Sequence, residues 1–174
     1  MKILNNFIQL ILIVLLISCS KNEKVSIVKE KNIETQMIEA FEEGYSELED
    51  GDVLFAAKKF NEAELLYPQS VWAPKAALMA AYAYYSQDYY FDAEYELKRF
   101  LKVYPNQKNI SYAHYLLAMV YYEKIVDEKK DLEPLILAEE KFKFIVKNYP
   151  DTDFALDSTY KLDLIQDYLA SKEM

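Results

Sequence analysis

Few residues in this chain could carry out catalytic chemistry. It has one cysteine, Cys19, one histidine, His114, and only two glycines. A catalytic triad or a metal cluster needs more nucleophiles and ligands than these, and two glycines cannot build a phosphate-binding loop. Acidic residues are plentiful, but those at helical spacing, such as Glu39, Glu42 and Glu43, are typical of a solvated helix face. We therefore expect no enzymatic activity, no metal site and no cofactor.

Cys19 nevertheless stands in a pattern with a definite chemistry. Residues 1–6 are short and polar, and residues 7–17 are almost wholly apolar. Eleven residues fit the core of a signal peptide, whereas a membrane-spanning helix needs about 20. The segment ends Leu16-Ile17-Ser18-Cys19, which resembles the lipobox of bacterial lipoproteins, whose cysteine thiol accepts a diacylglyceryl group. We predict a signal peptide over 1–18 and lipidation of Cys19, rather than a stray thiol in a plain cleaved signal or an anchor helix.

The residues after Cys19 indicate where the chain is attached. Acyl chains that each contribute about 0.8 kcal/mol per buried methylene hold a protein stably at a membrane when several are present. Ser20 follows the cysteine, at a position where an aspartate commonly retains lipoproteins of two-membrane bacteria in the inner membrane. The resemblance to lipoproteins therefore implies the outer membrane. Residues 19–34 are polar without a clear period, and we predict a lipidated tether there, followed by a folded domain over 35–174.

Three Tyr-Pro pairs divide the folded domain, and the same residue types recur before each of them. The pairs are Tyr67-Pro68, Tyr104-Pro105 and Tyr149-Pro150. The recurring residues are small at twelve positions before the proline (Ala56, Ala93, Ala138), large at eight (Phe60, Leu97, Phe142) and apolar at five (Ala63, Phe100, Ile145). These spacings share one helical face, and a proline ends each helix. The pattern is typical of tetratricopeptide repeats, which bind other chains.

The apolar periodicity predicts an all-α fold, a tetratricopeptide-repeat α-solenoid of about three repeats plus one extra helix. We expect helices over about 34–48, 53–66, 74–87, 91–103, 110–125, 134–148 and 152–170. Pro74 and Pro134 fall at helix starts, where the missing N–H costs nothing. The third repeat carries an insertion of eight residues around 126–131, and its charge favours a solvated loop or a helix extension.

The last helix allows two interpretations. Its polar residues Asp157, Lys161, Asp163 and Asp167 could form the polar outer face of a terminal cap. The alternative, which we favour, is the first helix of an unfinished repeat, because the chain stops soon after it.

The first helix of each repeat is expected to line a concave groove. The predicted groove residues are Phe41, Tyr45, Leu78, Tyr82, Tyr85, Tyr112, Tyr115 and Tyr122, together with Ile38, Leu48 and Met119. Tyrosine can bury an apolar peptide while its hydroxyl satisfies an extended backbone. Each of these residues could equally pack between helices. We assign the following residues to the core: Ala77, Ala80, Ala81, Tyr84, Leu117, Ala118 and Tyr121. His114 is expected to pack beside Leu117 rather than to bind a ligand.

The charge balance excludes one class of partner. The net charge is −9, and removal of residues 1–18 takes away Lys2 and leaves −10. Binding to nucleic acid needs a basic stripe, so we expect no nucleic-acid partner.

The stretch from Tyr67 to Leu117 is more specific than a generic repeat. Its motifs are Tyr67-Pro68, Ala81-Tyr82-Ala83-Tyr84-Tyr85, Asp88-Tyr89, Arg99-Phe100-Leu101, Tyr104-Pro105-Asn106 and Ser111-Tyr112-Ala113-His114-Tyr115-Leu116. These motifs resemble the BamD family, the tetratricopeptide lipoproteins of the outer-membrane β-barrel assembly machinery. The lipobox and the extended third repeat also fit, so the resemblance covers about residues 35–170.

The resemblance implies a non-catalytic scaffold and substrate receptor on the outer membrane, lipid-anchored and facing the periplasm. Its implied partners are the central β-barrel assembly subunit, accessory lipoproteins and unfolded outer-membrane protein clients held in the groove. Members of the family carry five repeats, and this chain holds three and one helix, so it is a truncated member by this comparison. Contacts made by the missing repeats are therefore in doubt.

Two other functions remain open from the residues alone. The lipobox and the repeats also fit a different envelope adaptor, serving pilus assembly or a cell-wall or division complex. A cell-wall lytic enzyme represented only by its helical part would need a catalytic domain beyond Met174.

Overall fold

The computed structural model describes residues 32–124 and 132–173. Over these residues the chain forms seven α-helices: α1 Ile33–Asp50, α2 Val53–Leu66, α3 Ala73–Ser86, α4 Tyr90–Val103, α5 Ile110–Glu123, α6 Glu133–Asn148 and α7 Asp153–Glu173. The predicted all-α fold is confirmed. Within this part of the chain no helix is both long enough and apolar enough to cross a membrane. The predicted signal peptide, Cys19, the tether up to residue 31 and the insertion around 126–131 lie outside the described residues.

The three Tyr-Pro pairs end helices as their chemistry requires. Tyr67, Tyr104 and Tyr149 are the C-caps of α2, α4 and α6, with φ of −142°, −122° and −133°. The ring of a following proline excludes the α region for the residue before it, so each tyrosine leaves the helix. Pro74 and Pro134 lie in the first turns of α3 and α6, as predicted.

The start of α1 differs slightly from the prediction. The Asn32 side chain accepts a hydrogen bond from the Glu34 backbone N–H at 3.3 Å, an N-cap that satisfies one of the unpaired donors of the first turn. The helix therefore begins at Ile33. Ile33 and Glu34 belong to it rather than to the predicted tether.

The two glycines of the chain join α1 to α2 closely. Gly51 ends α1 with φ of +88°, and its N–H bonds to the carbonyls of Glu47 and Leu48, a left-handed cap that glycine adopts without strain. At Gly44 an added Cβ would lie 3.0 Å from the Phe60 ring. The absence of a side chain at Gly44 therefore lets the two helices approach.

The repeat positions build the core. Each helix packs against the helix before it and the helix after it, with lesser contacts between α3 and α5 and between α5 and α7. All nine recurring residues are essentially buried: Ala56, Phe60, Ala63, Ala93, Leu97, Phe100, Ala138, Phe142 and Ile145. The core consists of two clusters of buried residues, one contributed by α1, α2 and α3 and the other by α3 to α7. The residues assigned to the core are also buried, except Tyr84, which is partly buried against both clusters. The described helices thus form a tetratricopeptide-like α-solenoid.

A charged network joins α2 to α4 behind this core. The Arg99 guanidinium donates to both carboxylate oxygens of Glu64 at 2.8 and 2.6 Å and to Glu96 at 2.8 Å. The Tyr104 hydroxyl also donates to Glu64 at 2.7 Å. Both glutamates are buried, and bidentate bonding to arginine is the arrangement that best compensates a buried carboxylate. Arg99 and its partners therefore hold two successive repeats in register.

Two of the four polar residues that could form a terminal cap on α7 contact α5 instead of solvent. Asp157 accepts a hydrogen bond from Tyr115 on α5, and the Lys161 ammonium lies over the Tyr122 ring. The outward side carries apolar residues instead, with Leu156 76% and Tyr160 60% exposed. Which face of α7 is covered therefore depends on the helices that pack against it, not on the polarity of its residues alone.

Candidate functional site

Two cavities lie along the inner helices α1, α3 and α5 and share one lining residue, Lys75. The first has a volume of about 470 Å³ and is lined by Met37, Ile38, Phe41, Glu42, Tyr45, Ser46, Glu49, Trp72 and Lys75. The second has a volume of about 370 Å³ and is lined by Lys75, Leu78, Met79, Tyr82, Asn109 and Tyr112. Both volumes fall in the range of ligand-binding clefts. We call the two cavities together the inner groove.

Aromatic rings form the wall of the first cavity. Phe41 packs edge-on against both Trp72 and Phe60, with ring centroids 5.3 Å apart in each case. Phe60 is fully buried, so Phe41 is held against the core, while Trp72 and Tyr45 remain 40% and 50% exposed. The outer ring surfaces of Trp72 and Tyr45 are therefore available to a ligand.

Lys75 is held at the boundary between the two cavities. Its ammonium lies 5.2 Å from the Phe41 ring centroid and 4.7 Å from that of Trp72, the range of a cation–π contact. Within residues 32–124 and 132–173 it forms no ion pair, although Glu42 and Glu49 line the same cavity. The rings orient the ammonium without neutralising its charge.

The second cavity presents tyrosine hydroxyls. Leu78 forms its buried floor and Tyr82 is 37% exposed at its edge. In the described part of the chain, the hydroxyls of Tyr45, Tyr82 and Tyr112 bond to no protein group. Burial raises the pKa of Tyr112 to about 12, with a smaller contribution from Tyr82 and Tyr85 nearby. The Tyr112 phenol is therefore protonated at neutral pH and can donate a hydrogen bond.

Tyr85 lies next to the inner groove, but its ring already has a packing partner at the start of α4. Its ring packs against Tyr90 at 6.1 Å, and the Tyr90 hydroxyl donates to Asp88 at 2.7 Å. Burial, followed by the charges of Glu123 and Asp88, raises the pKa of Tyr85. Tyr85 lines neither cavity.

Tyr115 and Tyr122, which were also predicted to line the groove, pack against other helices. Tyr115 stacks on Phe154 of α7 at 5.2 Å, and its hydroxyl donates to Asp157 at 2.7 Å. Burial and this hydrogen bond raise the pKa of Tyr115. Tyr122 meets Phe142 edge-on at 6.2 Å. Neither residue lines the inner groove.

The other predicted groove residues divide in the same way. Ile38, Phe41, Tyr45, Leu78, Tyr82 and Tyr112 line the two cavities. Leu48 packs against the α1–α3 core, and Met119 is buried in the α3–α7 core. Peptide binding by any of these residues stays a prediction.

Sequence reasoning missed Lys75 and Trp72. Lys75 lies 37 residues after Ile38 and 37 before Tyr112, the two residues that the repeat alignment had placed in the groove. The repeat alignment therefore places Lys75 in the groove, but the prediction selected only apolar and aromatic residues there. Trp72 precedes the helix, where helical periodicity gives no signal.

His114 on α5 lines neither cavity, and its ring packs against aromatic rings at the end of α6. Its ring lies 4.6 Å from that of Phe144 and 5.9 Å from that of Tyr149. Its Nδ1 atom is buried without a hydrogen-bond partner. Burial, with a smaller contribution from Lys141, lowers the pKa of His114.

Other ligand chemistry finds little support in the described segments. They contain no cluster of three or more His, Cys, Asp or Glu side chains that could hold a metal ion. Among the described residues, the inner groove presents aromatic rings, tyrosine hydroxyls that have no protein partner and the ammonium of Lys75.

Comparison with known proteins places this solenoid in a family. Residues 33–174 match the model of a family described as YfiO, outer membrane lipoprotein. The chain is 36% identical over 131 residues to the outer membrane protein assembly factor BamD of Caulobacter vibrioides, covering 75% of this chain and 43% of that protein. It is 31% identical to the BamD of Rickettsia prowazekii, covering 100% of this chain and 68% of that protein.

A third relative shows the same relation at lower identity. The BamD of Neisseria gonorrhoeae is 28% identical over 144 residues, covering 77% of this chain and 54% of that protein. The chain thus spans about half to two thirds of the length of these curated relatives. Because the family model matches the whole described solenoid, this chain belongs to the YfiO/BamD family of outer membrane lipoproteins.

Proposed function

We propose that this protein is a non-catalytic scaffold and client receptor in the assembly of outer-membrane β-barrel proteins. It is anchored in the outer membrane through a lipid on Cys19 and faces the periplasm. Its inner groove captures extended segments of unfolded clients and holds them near a central β-barrel assembly subunit and accessory lipoproteins. The similarity to relatives named as outer membrane protein assembly factors and to a family of outer membrane lipoproteins supports this role.

The observation that carries the client-binding role is the chemistry of the inner groove. An unfolded barrel strand brings alternate apolar side chains and a row of unpaired backbone N–H and C=O groups. The rings of Phe41 and Trp72 match the side chains, and the hydroxyls of Tyr82 and Tyr112, which bond to none of the described residues, match the backbone. Aromatic residues of this kind supply large contact areas at low entropic cost.

Attachment at the membrane would make modest groove affinity sufficient. A lipid anchor and a protein partner confine the receptor near the insertion site, and this raises the effective concentration of client there. Weak contacts also allow release, which a receptor that passes its client onward requires.

Photocrosslinking in cells tests the client-binding role. A photoreactive phenylalanine analogue would replace Tyr82 in the inner groove or, as a matched control, Tyr95 on α4, which is 68% exposed and lines neither cavity. We expect position 82 to cross-link newly exported β-barrel proteins and position 95 not to. Equal labelling from both positions, or no client adduct from position 82, would contradict the groove assignment.

Co-purification tests membership of the assembly machinery separately. The tagged protein would be solubilised from outer membranes in mild detergent, and its partners and lipid identified by mass spectrometry. A stoichiometric large β-barrel subunit supports the proposal, whereas recovery of pilus or cell-wall proteins supports the alternative adaptor function.

A further inference from the structure

The loops that join successive repeats form one edge of the solenoid. At this edge Tyr104, which ends α4, donates a hydrogen bond from its hydroxyl to Glu64 near the end of α2 at 2.7 Å. The first turn of α3 and the residue before α5 line one cavity. The α2–α3 and α4–α5 loops therefore lie side by side. We call the surface that they form with the adjoining helix ends, residues 65–75 and 102–109, the loop edge.

The loop edge has a charge opposite to that of the chain as a whole. The chain has a net charge of −9, yet its stretches 65–87 and 97–122 contain no acidic residue. Lys75, Lys102 and Lys108 lie exposed on the loop edge. None of the three forms an ion pair with any described residue. The loop edge therefore presents three cations without an anion among them.

The acidic residues closest to the loop edge are already paired. Glu64 and Glu96 bind Arg99 at 2.6 and 2.8 Å, and Glu62 binds Lys59 at 3.1 Å. Because each of these carboxylates has a cation beside it, they offset little of the positive potential at the loop edge.

Apolar side chains lie exposed beside these cations. Val71 is 89% exposed, Leu65 76% and Val103 52%, while Trp72, next to Val71, is 40% exposed. Adjacent exposed apolar residues rimmed by polar ones mark interaction sites. Tryptophan, together with lysine whose stem can lie along apolar surface, is favoured where a membrane meets water.

The predicted lipid anchor joins the solenoid at the same edge. α1 and α2 pack along each other and are connected by the short turn at Gly51, so the start of α1 at Ile33 lies beside the end of α2. Residues 19–32 can span at most about 50 Å when fully extended. A lipid on Cys19 therefore keeps the loop edge within reach of the membrane surface.

We infer that the loop edge contacts the membrane surface, with Lys102 and Lys108 at anionic phospholipid headgroups and Val71 in the interfacial layer. This inference goes beyond client binding and rests on the membrane attachment in the proposed function. Cations near an anionic surface and apolar side chains in the interfacial layer contribute together to such contacts. A lipid anchor alone lets the solenoid turn about its tether, whereas this second contact fixes the direction in which the inner groove faces.

The fluorescence of Trp72, the only tryptophan of the chain, reports on the loop edge. The lipidated protein would be reconstituted into vesicles of phosphatidylcholine, with or without phosphatidylglycerol, that contain lipids brominated on the acyl chains as quenchers. We expect quenching of Trp72 in vesicles with phosphatidylglycerol and its loss in phosphatidylcholine alone. Raising the salt concentration from 0.1 to 1 M shortens the screening length from about 10 to about 3 Å and should also abolish the quenching.

Two double variants test the role of the loop-edge lysines. Lys102→Gln combined with Lys108→Gln should reduce the quenching to the level in phosphatidylcholine alone. Lys58→Gln combined with Lys143→Gln is the matched control, because it removes the same charge from exposed lysines outside the loop edge. The control should be quenched as the wild type is, and equal quenching in both double variants would overturn the inference.

Moving the tryptophan tests the orientation of the solenoid. Trp72→Phe combined with Leu54→Trp places the reporter at the start of α2, at the end of that helix far from the loop edge, where Leu54 is 50% exposed. We expect no quenching from position 54 in either kind of vesicle. Equal quenching from positions 54 and 72 would show adsorption without a preferred orientation and would overturn the inference.

The remaining outcomes separate this inference from the proposed function. Absence of Trp72 quenching with phosphatidylglycerol, or equal quenching without it, overturns the loop-edge contact and leaves client binding intact. The intact mass shows independently whether Cys19 carries a lipid. If it carries none, the proposed attachment fails, and the same quenching measured on protein added to preformed vesicles decides on the loop edge alone.

Discussion

The tyrosines of the inner helices fall into two regions that one repeat pattern does not distinguish. Tyr45 and Tyr82 lie at equivalent positions of α1 and α3, and both remain well exposed, with hydroxyls that bond to none of the described residues. Tyr115 and Tyr122 lie further along the same row, on α5, but α6 and α7 cover them. The same residue type thus forms a candidate binding surface in one region and a packing interface in the other.

This difference shows that the role of each tyrosine depends on the helices that pack against it. Asp157 gives the Tyr115 hydroxyl an acceptor and Phe154 gives its ring a stacking partner. The Tyr82 hydroxyl has no such partner in the described residues. Tyrosines in the covered region, where another helix packs over them as over Tyr115, should therefore contribute to the stability of the fold. Tyrosines in the open region, which stay exposed as Tyr82 does, should contribute to ligand binding.

The largest expected effect is on stability in the covered region. Tyr115→Ala should lower the free energy of unfolding by about 3 kcal/mol, because it removes a stacked ring and leaves a cavity against α7. Tyr82→Ala should cost less than about 1 kcal/mol, as for most exposed positions. Urea denaturation followed by circular dichroism measures both, and similar losses in the two variants would remove the distinction.

The next effect is on binding in the open region. The double substitution of Tyr45 and Tyr82 by alanine should weaken client-peptide affinity about tenfold, since aromatic residues at such surfaces carry much of the binding energy. Tyr95→Ala on α4 is the control and should bind as the wild type does. Unchanged affinity in the double variant, with an intact helical spectrum, would argue against the groove.

Phenylalanine substitutions test the contribution of the hydroxyl groups alone, and their effect on stability should be smaller. Tyr115→Phe keeps the ring but leaves Asp157 without its donor, and should lower the free energy of unfolding by about 1 kcal/mol. Tyr82→Phe removes a hydroxyl that has no partner in the described residues and should leave the stability unchanged. Urea denaturation measures both variants. If the dependence of the unfolding free energy on urea concentration is unchanged, the shift in midpoint shows whether the two hydroxyls differ as the structure requires.

The smallest effect concerns His114, on the covered side of α5. Its folded-state pKa is lowered from 6.5 by burial, so the unfolded chain binds more protons as the pH falls below that value. The stability contribution present above about pH 6.5 is therefore lost as the pH falls toward the folded-state pKa.

His114→Phe should remove this part of the pH dependence, which denaturation of both proteins between pH 7.5 and 5 would reveal. If the free energy of unfolding changed with pH equally in the variant and the wild type, His114 would not be the group responsible. A substitution in the open region, such as Tyr45→Phe, should leave the pH dependence as it is.

Sequence reasoning succeeded where the determinants are local. The Tyr-Pro pairs end helices because the proline ring acts on the preceding residue, and the left-handed cap at Gly51 acts within one turn. The recurring set Ala56, Phe60 and Ala63 is buried because its spacing places all three on one helical face. Such features depend on neighbours in sequence, so a single sequence contains them.

Sequence reasoning was incomplete where the determinants come from other helices. The repeat alignment placed Tyr82 and Tyr115 in one groove, yet α7 covers only Tyr115. It also overlooked Lys75, whose significance arises from Phe41 on another helix and Trp72 in the preceding loop. Local patterns identify which residues share a face but not which surface meets that face.

The sequence by itself therefore determined the helices, their ends, the repeat and the buried small residues, because hydrophobic periodicity and backbone sterics act over a few residues. Only the tertiary structure decided which tyrosines stay open, where Lys75 is held and which side of α7 is covered. Those features depend on side chains from helices that are distant in sequence, and they arise only when the solenoid stacks.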